Sequence, residues 1–264
     1  GTGRGVSRQA YPSDLSDAQW EKLSDLIPAP KEGPQEPKYE RREIMNAMLY
    51  QKRTGCQWRF LPHDFPPWST VKKYYYQWQG DGTFERALDA LRSRVRVEAG
   101  RAPEPSIGIA DSQSVKTTEV GGPKGFDAGK KVKGRKRHLL VDILGLLVVA
   151  FVTAASVQDR DGLPRLLREG RAASARLTKV LVDGAYTGPV VANAATETGV
   201  AVEMVKRSAI KGFVVVPKRW IVERSLGWMN RDRRLSKDYE RTTASSETWV
   251  HLSFIHVMTR RLAG

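Results

Sequence analysis

Apolar residues over the first hundred positions recur at helical spacing, whereas those further along alternate or run together as they do in strands. Trp20, Leu23 and Ile27 fall on one face behind Ser16, which predicts a capped helix that Pro28 ends. A second helix is expected over residues 40–54, with Ile44 and Met48 near its middle and Gly55 as its stop. Cys56 to Pro62 reads as a short, turn-like connector. A third helix starts at Ser69 and carries Thr70, Val71, Lys72, Lys73, three successive tyrosines and Trp78, and a fourth occupies 83–98. Helix, tight connector and a Lys-rich helix trace the outline of a helix-turn-helix. Consecutive helical residues point in different directions, so about half of Tyr74, Tyr75, Tyr76 and Trp78 belong to a core.

Beyond a small, Pro-containing linker at 99–105 the pattern changes. Ser106 to Asp111 reads as a short strand ending on a carboxylate, followed by a Gly- and Lys-rich loop. His138 to Asp142 and Leu146 to Thr153 read as a hairpin turning at Ile143 to Gly145. A helix from Asp161 to Glu169 buries Leu163, Leu166 and Leu167. Leu177 to Asp183 has the apolar centre of an interior strand. A helix at 188–199, a strand at 201–206 and one long helical stretch from 219 complete the order. The expectation is an α/β fold: a mixed five-stranded sheet flanked by helices, preceded by a small all-α helix-turn-helix-like domain. The domains are then 11–100 and 105–264.

Charge narrows the class. Lys and Arg number 44 against 29 Asp and Glu, a net +15, and such an excess favours a polyanion, nucleic acid being the usual one. Thr70, Lys72, Lys73 and Tyr76 become the candidates of the third helix to face DNA. A single cysteine, Cys56, excludes an internal disulfide and a cysteine-based zinc site. The first residues carry no apolar signal stretch, and the apolar run Ile143 to Ala155, broken by Gly145, is too short to span a bilayer. The expected setting is cytoplasmic, with no membrane partner.

Asp111 and Asp183 each close a predicted strand, the end at which sites form in open α/β sheets. Were the two strands adjacent and parallel, their carboxylates would meet and repel unless a cation lay between them. Hard oxygen donors select Mg²⁺ or Mn²⁺. The plainer alternative is that each Asp caps its following turn. Glu223 has apolar neighbours that turn it partly inward, and an ion pair with Arg219 would run in the weaker order. His138, Asp142 and the Asp159/Asp161 pair read as structural, although Asp159 could approach the site.

Three segments, IADSQSV around Asp111, VDGAYTG around Asp183 and KRWIVERSLGWMNRDRRLSK around Glu223, resemble the acidic blocks of DDE transposases, in particular the bacterial insertion-sequence group named for IS-five. LSDAQWEKLSDLIP and REIMNAMLYQKRTGCQWRFLPHDFPPWSTVKKYYYQW resemble the helical DNA-binding segment of that group. The resemblance implies an RNase H-like core in which Asp111, Asp183 and Glu223 are catalytic and hold two Mg²⁺ ions, with Mn²⁺ able to substitute. It further implies double-stranded DNA as partner, both terminal inverted repeats and target, and a homodimer in the synaptic complex. DNA contacts fall to Lys130, Lys131, Lys133, Arg135, Lys136 and Arg137, and to Arg219, Arg231, Arg233 and Arg234 around Glu223. The family's Tyr-x-x-Arg-x-x-x-Glu-x-x-x-x-x-x-Lys signature is met by Arg219 and Glu223, but Val216 and Asn230 stand at its outer positions. Two rival readings are a metal-dependent nuclease without strand transfer and a DNA-binding regulator that never cuts; the second leaves the acidic blocks unexplained.

Overall fold

The computed structural model describes residues 8–29, 38–119, 121–205 and 219–264. Four helices come first: α1 (Asp17–Leu23), α2 (Arg41–Thr54), α3 (Trp68–Gly80) and α4 (Thr83–Glu98). Ser16 caps α1 in a reciprocal capping box with Gln19, and Gly55 closes α2 in the left-handed conformation at φ 75°. The link from α2 to α3 is wider than the tight connector expected, because it includes a 3-10 turn at Trp58–Phe60 and two further prolines before Trp68.

The sheet has six strands rather than five: β1 (Ile107–Lys116), β2 (Gly125–Asp127), β3 (Val132–Asp142), β4 (Leu147–Ala154), β5 (Lys179–Val182) and β6 (Ala201–Met204). β4 lies beside β3, then come β1, β5 and β6, with the short β2 extending the β4 edge along the start of β3. β1, β3 and β4 are antiparallel neighbours, while β5 and β6 join parallel to β1. That is the RNase H-like arrangement. α5 (Asp159–Ala173) and α6 (Pro189–Thr198) supply the crossovers. The long helix expected from 219 is in fact two, α7 (Arg219–Asn230) and α8 (Thr243–Leu262), separated by a 3-10 turn at Arg233–Leu235.

Each face of the sheet has its own apolar layer. Leu140, Val180, Val182 and Tyr186 meet Leu163, Leu166 and Leu167 of α5 and Val191 and Ala194 of α6. On the other face Ile109, Leu139, Val141 and Leu181 join a core shared with α7, α8 and the N-terminal helices. α8 links the two regions: it packs against α4, β4, α1 and α2. Trp249 of α8 stacks on Tyr75 of α3 at 4.9 Å, and the Tyr75 hydroxyl donates to the Ser245 carbonyl at 2.9 Å. Burying an aromatic of this size is worth about 2–3 kcal/mol, so Tyr75 and Trp78 are core residues. At the β3–β4 turn the Asp142 carboxylate accepts the Leu144 and Leu146 N–H groups, each at 2.9 Å, and also binds Arg96 of α4. Gly145 completes that turn at φ 79°, where a side chain would strain the backbone and press on Ser225 of α7.

Candidate active site and nucleic-acid interface

β1 does not end at Asp111, as its sequence suggested, but continues to Lys116 because β3 pairs with it the whole way, Asp111 facing Leu139. What stops near Asp111 is the other neighbour. β5 pairs with β1 only from Ile107 to Ile109, and Ile109 stands opposite Leu181. Asp111 and Asp183 each lie two residues past that last matched pair, where the parallel strands part. Both residues line one cleft with Ile109, Leu181, Val205 of the segment after β6 and Val222 of α7. The Asp111 carboxylate accepts the Ser112 N–H at 2.7 Å, and that of Asp183 accepts the Ala185 N–H at 2.9 Å.

α7 borders the cleft. Ile221 and Val222 are buried, and Arg224 donates to the Leu144 carbonyl at 3.0 Å, fixing the helix on the β3–β4 turn. Glu223, next to Val222, is exposed. Among the described residues no three of His, Cys, Asp and Glu gather around a common point suited to a metal ion. The donor chemistry and register of the aspartate pair fit a hard divalent cation. The third carboxylate sits on the bordering helix.

On the α5 face of the same strand ends lies a charged network. Asp159, at the start of α5, meets the Lys136 ammonium at 2.7 Å and that of Lys130 at 3.6 Å. Burial opposes its ionisation, yet the bonds to Lys136 and Ser112 and the nearby Lys130 charge hold its pKa below the ordinary carboxylate value. Lys130 also donates to the Ser112 carbonyl and hydroxyl, both at 3.1 Å. Sequence reasoning did not single out Tyr186 or Ser112, although both lie inside the acidic blocks. His138 is buried and stacked on Phe151 at 4.7 Å, and burial lowers its pKa to about 4, a structural residue as expected.

The basic candidates divide. Lys130, Lys131, Lys133, Arg231 and Arg233 are exposed. Arg135, Lys136 and Arg137 are not DNA-facing: they lie on β3, not in a loop, and are buried, the two arginines at 1% exposure. Arg135 binds Asp238 at 2.9 Å and the carbonyls of Pro123 and Glu240. Lys136 lies between Asp127 and Asp159, and Arg137 donates to the Leu235 carbonyl at 2.8 Å, with burial lowering its pKa to about 10. Arg234 is likewise buried, paired with Glu240 at 2.6 Å and stacked over Trp249. Charge-assisted bonds to interior carbonyls explain why such a basic run can enter a core. The Arg219 side chain and Val216 lie outside the described residues. On α3, Lys73 and Tyr76 are exposed, Thr70 and Lys72 half-buried, and the Lys72 ammonium lies 5.9 Å from the Tyr76 ring. No helix among the described residues is long and apolar enough to cross a membrane.

Comparison with known proteins accords with this geometry. Residues 15–88 match the family described as "Putative transposase of IS4/5 family", and residues 102–258 match "Transposase DDE domain". An uncharacterized protein, y4sN of Sinorhizobium fredii, is 31% identical over 84 residues, which is 32% of this chain and 67% of that protein. The chain also aligns with the Mos1 mariner paired end complex with Mn at 13% identity and a TM-score of 0.31, covering 92% of this chain and 83% of that one. With the Mos1 strand transfer complex the figures are 15% and 0.32, covering 89% and 79%. Those two structural likenesses are too loose to argue from. The DDE match, by contrast, takes in more than half of the 264 residues and spans the strands that carry Asp111 and Asp183 as well as α7, so the chain belongs to the family of DDE-domain transposases.

Proposed function

We propose that Asp111, Asp183 and Glu223 are the acidic triad with which this transposase cuts element ends and joins them to target DNA. The observation that supports the reading is the matched register: Asp111 and Asp183 lie equally far beyond the Ile109–Leu181 pair and line one cleft. The two aspartates and Glu223 would hold a pair of Mg²⁺ ions, or Mn²⁺ in their place. When bound, such ions activate the attacking oxygen and stabilise the leaving one. α7, held on the β3–β4 turn through Ser225 and Arg224, carries Val222 of the cleft lining and, next to it, Glu223. Lys130, Lys131, Lys133, Arg231 and Arg233 offset the repulsion between this acidic site and phosphates. Arg219 is the further contact its signature position implies. Thr70, Lys72, Lys73 and Tyr76 of α3 face the terminal repeat, so residues 11–100 recognise DNA and 105–264 act on it.

The chemistry balances without a covalent protein–DNA intermediate. Water attacks the phosphodiester at the element's end, and the P–O bond to the element breaks, freeing its 3′-hydroxyl. That hydroxyl then attacks a target phosphodiester, and the target's own 3′-oxygen leaves. Two ends must meet for this, which makes a homodimer the working unit.

Asp183→Asn tests the reading. It keeps the shape of the side chain while removing a charge, so cleavage of a duplex carrying the element's end, measured with Mg²⁺, should fall by orders of magnitude. In metal-free buffer the melting temperature should stay level or rise slightly, because clustered carboxylates repel. Cleavage at the wild-type rate, or a collapsed melting temperature, would make Asp183 a turn cap instead. Cleavage by the wild type without joining of 3′-hydroxyl ends would leave a nuclease.

A further inference from the structure

Gln113 follows Asp111 by two residues on the same face of β1, about 7 Å along the strand, and its amide donates to the exposed Asn230 side chain at 3.2 Å. Asn230 ends α7, so the connection from α7 to α8 starts beside the cleft. Arg137 ties that connection to the sheet, donating to the Gln113 side-chain oxygen at 3.2 Å and to the Leu235 carbonyl at 2.8 Å. Across it lies the C-terminal end of α2. Arg53 donates to the Arg231 carbonyl at 2.6 Å and Arg234 to the Cys56 carbonyl at 3.0 Å. Gly55 backs onto Arg233 so closely that a Cβ there would lie 3.4 Å from the Arg233 Cβ. Arg53, Arg231 and Arg233 are exposed. The carboxylate beneath them, Asp232, is buried and already bound by Lys52 at 2.8 Å and Ser253 at 2.7 Å, with Arg53 4.0 Å away. The 3-10 turn at Trp58–Phe60 prolongs this basic surface. Trp58 packs on Tyr75 at 5.3 Å and Leu61 is buried, so the turn is held at both ends, and Phe60 between them is turned outward, 71% exposed. Arg59 beside it is exposed too, its guanidinium 5.6 Å from the Trp68 ring. An exposed apolar side chain is ordinary where it can move aside, but this one is fixed in place among arginines. Five residues of chain from Gly55 reach at most about 18 Å, the rise of about five base pairs.

We propose that Arg53, Arg59 and Phe60 carry the DNA-binding surface from the cleft across the end of α2. The arginines, with Arg231 and Arg233, follow the phosphates of the duplex as it leaves the cleft, and Phe60 presses as a wedge between base pairs from the minor groove. Charge complementarity selects duplex DNA over a second copy of this chain, which is itself basic at +15. Guanidinium–phosphate contacts carry no sequence information, so this surface holds and bends the duplex without reading it. The inference rests on the assignment of Asp111, Asp183 and Glu223 as the cutting site, which says where the duplex passes.

The test compares full-length wild type, the double variant Arg53→Ala/Arg59→Ala, Phe60→Ala and Asp183→Asn. Arg176→Ala, an exposed arginine between α5 and β5 at the far end of β5 from Asp183, is the control for lost charge alone. Binding of a labelled end-bearing duplex is read by fluorescence anisotropy over a series of salt concentrations without metal. Unstacking is read by 2-aminopurine placed at successive positions on either side of the scissile bond, cleavage by gel, and stability by thermal melting. The double variant should weaken binding at low salt by about tenfold and reduce the slope of log affinity against log salt by about two. Arg176→Ala should stay within about twofold of wild type. Wild type should brighten 2-aminopurine at one step, and Phe60→Ala should lose that signal with the salt slope and melting temperature unchanged. A double variant no weaker than Arg176→Ala, or a 2-aminopurine signal that is absent in wild type or retained by Phe60→Ala, beside an inactive Asp183→Asn, would overturn the inference and leave the triad standing. A melting temperature that falls by several degrees in Phe60→Ala would overturn it too, since the ring would then be structural. So would loss of self-association in that variant with DNA binding intact, which would make the surface a contact between copies. Should Asp183→Asn cleave as wild type does, the triad reading itself fails and this inference falls with it.

Discussion

Lys133 and Arg135 stand two positions apart on β3 and differ in almost everything but charge. Lys133 is exposed, whereas Arg135 is buried against Asp238 and a cage of carbonyls. Removing one partner of a buried pair leaves the other charge uncompensated, at a cost of about 3–5 kcal/mol. Arg135→Ala is therefore expected to lower the urea-unfolding free energy by about that amount, with Lys133→Ala within about 0.5 kcal/mol of wild type. Duplex binding measured at low salt should respond the other way round, weakened by Lys133→Ala through a lost phosphate contact. From sequence the two were indistinguishable, because Asp238 and the Glu240 and Arg241 carbonyls that hold Arg135 lie more than a hundred residues away. Asp183 was readable as a strand end, since β5 stops at Val182; Asp111 was not, because β1 runs on to Lys116 in its pairing with β3.

Among the elements, those with a full apolar stripe were legible. The Leu163, Leu166 and Leu167 face fixed α5 to within two residues of its start, and the hairpin of β3 and β4 followed from its apolar runs and Gly145. β2 was missed because Gly-Phe-Asp carries no period of its own and pairs only through its backbone with β3. The break between α7 and α8 was missed because residues 231–242 contain neither Gly nor Pro to announce it. The N-terminal helices raise a different point. Tyr75, Trp78 and Phe84 lie in one core with Trp249, Val250 and Phe254 of α8, although sequence reading divided the chain near residue 100. A fragment of residues 11–100 would expose that face to water. It is expected to show little cooperative melting by circular dichroism, in contrast with the full chain; a sharp transition near that of the full chain would show that α8 is dispensable to these helices.

At the scale of the whole molecule, buried histidines give stability a direction in pH. Burial lowers His138 and His251 to about 4, and burial with the Lys52 and Arg260 charges lowers His256 to about 3, each from an ordinary 6.5. The folded state thus resists their protonation while the unfolded chain accepts it. Their contribution is fully present above pH 6.5 and drains away as pH falls toward the folded values. The lowered pKa of Asp159 acts in the same sense at more acidic pH. The urea midpoint should accordingly drop steadily between pH 6.5 and 4, and a flat profile there would contradict the burial of these rings.

One feature of the architecture bears on how DNA is measured. Because α8 packs against both α4 and β4, the α3 face proposed to meet a terminal repeat and the cleft between β1 and β5 are carried on one continuous core. A hinged protein can slide its cutting site along the duplex after gripping it; a stiff one works as a caliper. The number of base pairs between the recognised sequence and the severed bond is then set by the protein's own dimensions. Each added base pair also turns the scissile phosphate about the helix axis, away from the jaws, so spacing and rotational phase become part of what the enzyme recognises.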